Sequence, residues 1–196
     1  VWIKSRTNAD GHVLFDIVRG ANERLTSSNT TDLRITSDEL TSFNSDGYTL
    51  GTGDNVNRSG HNYVSWNWKA GGSASSNSDG SITSNVSVST TAGFSIVSYA
   101  GNNTAGATVG HGLSQEPNIM IFKNRNNGST SWCFYHSAKG TSGTGRLNTS
   151  DAFGDTAFIT TTPSSSVFTL TATTIVNENN MIAYCFAEKK GYSKFG

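Results

Sequence analysis

The sequence predicts an all-β fold of tandem β-sandwich or jelly-roll units, and three observations carry that prediction. Runs of three to eight residues rich in β-branched and aromatic types recur along the chain. Gly, Ser, Asn and Asp clusters punctuate them, as strand-and-turn architectures require. Helical periodicity is absent over any useful length.

Taken in order, the apolar runs predict strands at 1–6, 13–18, 32–36, 48–50, 63–69, 94–99, 107–109, 119–125, 132–136, 157–161, 167–171 and 181–187. Between them, Asn44-Ser45-Asp46-Gly47 and Asn77-Ser78-Asp79-Gly80 combine Asx-type bonding with a glycine for positive φ, and Asn127-Gly128 is a hairpin dipeptide. The two prolines, Pro117 and Pro163, fall at strand entries or turns. About a dozen short strands in 196 residues fit a sandwich or jelly roll.

The order of the runs contains a second signal. Val1–Arg6 lines up with Met120–Arg125, Val13–Asp16 with Trp132–Tyr135, and Tyr48–Leu50 with Phe168–Leu170. Val56-Asn57 then matches Val176-Asn177, and Tyr63–Trp68 matches Met181–Phe186. The offset stays near 120 residues throughout, which predicts an internal duplication. On this reading residues 1–72 form a first β unit lacking its opening strands, 73–92 a Gly/Ser/Asn-rich connector, and 93–190 a second unit. Residues 191–196 open a further unit or form an exchange tail, because Gly191-Tyr192-Ser193 repeats Gly93-Phe94-Ser95. A segment of a longer repetitive protein fits this pattern. So does one chain's terminal strand completing a neighbouring subunit.

Composition narrows the function classes. Charged residues make up 14% of the chain, Lys+Arg and Asp+Glu stand at 14 each, and the formal net charge is +0. A neutral chain lacks the positive field that drives nucleic-acid binding. No stretch approaches the roughly 18 apolar residues of a membrane-spanning helix. Polarity comes instead from 28 Ser, 25 Thr and 20 Asn beside 21 Gly. Cys133 and Cys185 lie inside apolar runs and read as buried free thiols, with a single bridge as the alternative.

Candidate chemistry is sparse. Glycoside hydrolysis needs two positioned carboxylates, yet in the repeat alignment Asp16 faces Tyr135, Glu39 faces Ile159 and Asp54 faces Thr174. No carboxylate persists between the copies, so catalytic residues are expected to be none. His12, His61, His111 and His136 are scattered without zinc spacing, and the oxygen-rich turns Asn44–Gly47 and Asp54–Asn57 lack a calcium-loop pattern. No metal and no cofactor is expected. Lys4, Arg6, Arg19 and Arg24 recur as Lys123, Arg125, Lys139 and Arg146. They read as partners of loop carbonyls or nearby acids, with an anionic-glycan contact as the alternative. Trp66 and Trp68 share a strand face that is either core or a platform for a sugar ring. Phe153, Tyr192 and Phe195 read as loop or tail residues suited to subunit contacts.

The combination of 93–99 (GFSIVSY), 109–113 (VGHGL), 117–125 (PNIMIFKNR), 132–136 (WCFYH), 166–170 (SVFTL) and 182–196 (IAYCFAEKKGYSKFG) resembles the repeated β domain of marine bacteriophage tail fibre or virion structural proteins, of cyanophage and pelagiphage type. The resemblance covers nearly all of the second unit and 1–72 of the first, where Val13 stands in place of Trp132. It implies a jelly-roll or concanavalin-like fold on a virion appendage, extracellular after release. The function read from the whole sequence is a non-enzymatic virion structural protein that self-assembles or binds other virion proteins, with host surface glycans as a candidate further partner. The resemblance carries over no ligand-binding residue. A carbohydrate-binding module or lectin is the first alternative, and a glycan depolymerase the second.

Overall fold

In the computed structural model, residues 1–31, 33–154 and 157–196 are described. They form an all-β molecule of sixteen strands and one short helix. The strands are β1 (Trp2–Ser5), β2 (Val13–Asp16), β3 (Gly20–Thr26), β4 (Arg34–Ile35), β5 (Leu40–Phe43) and β6 (Tyr48–Leu50). After α1 (Asp54–Asn57) come β7 (Tyr63–Trp66), β8 (Ser75–Asn77), β9 (Ser84–Ser89), β10 (Phe94–Ala100) and β11 (Thr108–Gly110). Then follow β12 (Ile119–Asn124), β13 (Cys133–His136), β14 (Gly145–Arg146), β15 (Val167–Thr169) and β16 (Asn180–Phe186).

Two antiparallel sheets dominate. The first has the order β4-β3-β2-β1-β7 and the second the order β14-β13-β12-β16-β10-β9-β8, while β5-β6 and β11-β15 are two-stranded. The central strands of each large sheet are buried on both faces because they alternate two apolar sets with period two. In β1 and β2, Ile3, Val13 and Phe15 pack toward Leu40 and Val56 and the β5-β6 ribbon. Trp2 and Leu14 point the other way, onto Phe94, Ile96, Ile182 and Tyr184 of the second sheet. The second sheet's far face sets Val97, Tyr99, Met120, Phe122 and Cys185 against Val109 and Phe168 of the β11-β15 ribbon and against Leu170 just beyond it. The molecule is thus a stack of ribbon, sheet, sheet and ribbon, and the middle apolar layer draws side chains from both halves of the chain.

Several expectations are corrected by this arrangement. Residues 73–92, read as a connector, contain β8 and β9, which lie within the second sheet. Ser84, Val86 and Val88 share one strand face, so this Ser-rich stretch presents an alternating side that Gly71 and Gly72 had obscured. Strands β3 and β5 were not foreseen, being mostly polar on their outward positions. In the 32–36 run, Asp32 lies outside the described residues and the strand is Arg34–Ile35. The 157–161 run makes only a bridge from Ile159 to Leu170. The reading of 191–196 as a further unit or an exchange tail stands apart from these: in the fold a Lys189–Ser193 bridge closes a turn over 190–192.

The halves share a strand order, β3-β2-β1-β7 and β14-β13-β12-β16. Their registers correct one alignment. Ile3 lies opposite Val13, and Phe122 opposite Cys133. Val13 therefore corresponds to Cys133 rather than Trp132, and Phe15 to Tyr135 rather than Phe134. A slip of one residue would turn every side chain of the strand to the wrong face.

Candidate functional site

A cleft of about 630 Å³ lies between the two large sheets and the β5-β6 turn. Its apolar wall is built from Trp2 and Leu14 of the first sheet and from Phe94, Ile96, Ile121 and Phe186 of the second. Its rim is polar: the β5-β6 turn Asn44–Gly47 on one side, Asn67 and Lys69 on the other. The turn is held in shape by Asn44 N–H to Gly47 O at 2.8 Å and by the Asn44 amide to Thr49 Oγ1 at 3.0 Å.

Trp68 stands at the mouth. Its ring meets Phe186 edge-on at 5.7 Å and Phe94 at 6.3 Å, yet 39% of the residue is exposed. Trp66 is 44% exposed and packs edge-on against Trp2 at 6.3 Å. Of the two readings of this face, core or platform, the half-exposed one is observed, because β7 is an edge strand and Trp68 lies beyond its end. A half-exposed indole supported from behind by two phenylalanine rings can stack against a flat apolar face, while the amides beside it accept and donate hydrogen bonds.

At the floor lies a buried ionic triad. Asp16 Oδ2 accepts from Arg19 Nε at 2.5 Å and from the Tyr184 hydroxyl at 2.7 Å. Its Oδ1 accepts the backbone N–H groups of Val18 at 3.0 Å and Arg19 at 2.9 Å. Arg19 also donates to Glu23 O and, at 3.0 Å, to Leu14 O, and its Nη2 lies 3.3 Å from the Tyr184 hydroxyl. Burial alone would push the Asp16 carboxyl up, but the Arg19 charge and the hydrogen bonds outweigh it and hold the group below the usual carboxylate range. Burial likewise pushes the Tyr184 hydroxyl well above its ordinary value. Both carboxylate oxygens are fully engaged, so the triad is a clamp between the sheets rather than a reactive group.

The other candidates disperse. Lys4 donates to the carbonyls of Ser5 and Asn8, and the fully buried Lys123 to those of Thr30 at 2.9 Å and Thr130 at 2.7 Å. Arg24 pairs with Glu39 at 2.5 Å and Arg125 with Glu23 at 3.3 Å. Lys139 sits 5.8 Å from the Phe153 ring on the surface, in an environment unlike that of Arg19. Asp54 pairs with Arg58 across α1. His111 is fully buried, with Nε2 at 3.2 Å from Ser164 O and Nδ1 accepting the Leu113 N–H at 3.3 Å. Cys133 and Cys185 are free and buried. They lie on strands separated by β12, about 9–10 Å apart by sheet spacing, beyond disulfide reach. Among the described residues no three His, Cys, Asp or Glu side chains converge as a metal-ligand set, and no helix is long and apolar enough to cross a membrane.

Sequence reasoning reached Trp68 but treated Asn44–Gly47 only as a turn and passed over Asn67. The signal for them is tertiary, since the cleft joins the β5-β6 turn to residues 20 and more positions away. A family model described as Domain of unknown function (DUF7483) matches residues 1–196. No curated protein and no solved structure matches the chain.

Proposed function

The chain belongs to the DUF7483 domain family, and from that premise we propose that it is a non-enzymatic structural β module that assembles with copies of itself and touches glycans through its aromatic cleft. Its setting on this reading is a virion appendage such as a tail fibre, and its location the virion. The sequence resemblance to marine phage virion proteins supports that setting.

One observation carries the non-enzymatic reading. The cleft is lined by two carboxylates, Asp16 and Asp46, and Asp16 is saturated by Arg19, Tyr184 and two backbone amides. That leaves Asp46 without the partner an acid–base pair needs. The common strand order of the two halves supports an internal duplication, in which a single β unit was copied and the copies packed sheet against sheet. Such a doubly covered stack suits a load-bearing part, because each large sheet is held from both sides.

A second reading, a carbohydrate-binding module, is favoured by the half-exposed Trp68 beside Asn67, Lys69 and the Asn44–Gly47 turn. A glycan array on the whole chain, followed by calorimetry on any hit, tests the glycan contact. Binding weakened at least tenfold by Trp68→Ala, with an unchanged circular dichroism spectrum, is the expected result. Uniform silence across neutral and acidic glycans overturns glycan contact, and a fall in polysaccharide viscosity on long incubation overturns the non-enzymatic reading.

A further inference from the structure

The two large sheets differ at one matching position. In the second sheet β16 is flanked by β12 and β10, whereas in the first β7 is flanked by β1 alone. The phase of the backbone bonds identifies which groups face outward. Arg6 N–H donates to Asn62 O at 2.7 Å, as Arg125 N–H donates to Asn180 O at 2.9 Å. In an antiparallel pair this phase alternates. Asn62, Val64 and Trp66 therefore turn their backbone groups toward β1, and Tyr63, Ser65 and Asn67 turn theirs away. The equivalents on β16, Met181, Ala183 and Cys185, meet Tyr99, Val97 and Ser95 of β10. Among the described residues no strand takes up the outward groups of Ser65.

Burial follows the same difference. Five consecutive residues of β16, Met181–Cys185, are buried, whereas no residue of β7 is, and Trp66 is 44% exposed. The sheets end also at β4, β14 and β8, but these are strands of only two or three residues: β8 and β14 present no large apolar side chain, and β4 presents the single exposed Ile35. An unpaired edge with apolar side chains is a template for another strand.

We infer that the outer edge of β7 docks the Gly191–Gly196 segment of a second copy of this chain. The inference rests on the self-assembly reading above and specifies its mode. That segment repeats the Gly-aromatic-Ser opening of β10, and its Tyr192 is 69% exposed. Within its own chain it is held by the Lys189–Ser193 bridge, a Tyr192 N–H bond to Lys189 O at 2.9 Å, a Lys189 N–H bond to Ser193 Oγ, a Phe195 N–H bond to Glu188 and a ring contact from Phe195 to Phe186 at 6.0 Å. Transferring the β10–β16 register sets Tyr192 opposite Trp68, Ser193 opposite Asn67, Lys194 opposite Trp66 and Phe195 opposite Ser65. Lys194 then lies beside the Trp66 ring, where a cation is attracted. Reciprocal donation closes a dimer, and head-to-tail donation builds a row of copies.

Sedimentation of the full chain at rising concentration, compared with Ser65→Pro, tests the mode. Proline at Ser65 removes an outward N–H and leaves the β1 ladder intact. The expected result is association of the wild type and at least tenfold weaker association of a folded Ser65→Pro chain. A fold-independent check mixes Ser65→Cys chains with Phe195→Cys chains under mild oxidation. Disulfide-linked pairs should form only in the mixture, and Val64→Cys, which faces the opposite side, should give none. If the wild type associates but Ser65→Pro is unchanged and no cross-link forms, the β7 edge is overturned while self-assembly stands. A strict monomer at every concentration, without cross-links, overturns both.

Discussion

Removing the hydroxyl of Tyr184 tests whether the two large sheets are clamped by charge as well as by apolar contact. Tyr184→Phe keeps the ring in the inter-sheet layer and deletes the 2.7 Å bond to Asp16 Oδ2 and the 3.3 Å contact with Arg19 Nη2. A hydrogen bond to a charged buried group contributes about 1.5–3 kcal/mol. In a chain of this size each kcal/mol moves the unfolding midpoint by about 2–4 °C, so a loss of about 3–12 °C is expected by circular dichroism. Arg19→Met is the harsher change, because it leaves a carboxylate buried without its cation, at a cost of about 3–5 kcal/mol. The two variants also differ in pH response. In the wild type the Asp16 carboxyl is held below its ordinary value, so its contribution is present above about 3.8 and lost as pH falls through the folded value. Without Arg19 the burial penalty is uncompensated and the folded value rises, so Arg19→Met should gain stability relative to wild type as pH is lowered from 7 toward 4. A Tyr184→Phe midpoint within about 1–2 °C of wild type, or about 0.5 kcal/mol, would refute the clamp. So would parallel pH slopes for Arg19→Met and wild type.

Two further outcomes follow from burial. Burial pushes the thiols of Cys133 and Cys185 up to about 12, and the thiolate is the reactive form. Both should resist a disulfide reagent at pH 8 in the native chain and react stoichiometrically in guanidinium, whereas fast native labelling would contradict the packing. Burial also lowers His111 below its ordinary 6.5, against the opposing carbonyl of Ser164 and charge of Asp79. The unfolded chain then takes up the proton first, so His111 supports the fold fully above about 6.5 and progressively less below it. Denaturant midpoints at pH 7.5 and 5.0 should differ more in wild type than in His111→Gln, and an equal difference would assign the acid sensitivity elsewhere.

Strands with an apolar alternation could be read directly, and β1, β2, β10, β12 and β16 lie where their patterns place them. What could not be read is which partner covers each face. Phe-Ser-Ile-Val-Ser-Tyr in β10 carries apolar residues of both parities, and only the fold divides Phe94 and Ile96 from Val97 and Tyr99 between two cores. Sequence matching slipped by one residue at β2 because Trp132 and Val13 are both apolar, and strand parity alone separates them. Asp16 and Tyr184 lie 168 positions apart, so nothing local in either segment announces the clamp. Trp66 and Trp68 read as sharing one face, but whether that face is core or exposed depends on β7 being an edge, a property of topology.

The same topology changes the meaning of the polar composition. Two sheets covered on both faces require that most loops pack against something, and each packed loop brings backbone groups that must be bonded. Burying charges to bond them would cost far more than burying amides or hydroxyls. Beside Lys123 and Arg19, which bond buried carbonyls with charge, this chain also uses the cheaper groups. Asn177, fully buried, accepts the N–H groups of Asn102 and Asn103 and donates to the carbonyls of Thr104 and Thr171. Asn124 donates to Thr174 O, Ser84 to Gly110 O and Ser87 to Gly72 O. The Ser, Asn and Thr excess that reads as turn and linker chemistry is thus partly interior, knitting loops to sheets. A chain with 14% charged residues reaches this layered fold because neutral side chains bond its buried backbone. Among the described residues, the Asp16–Arg19 pair is fully buried, and Tyr184 ties it to the second sheet.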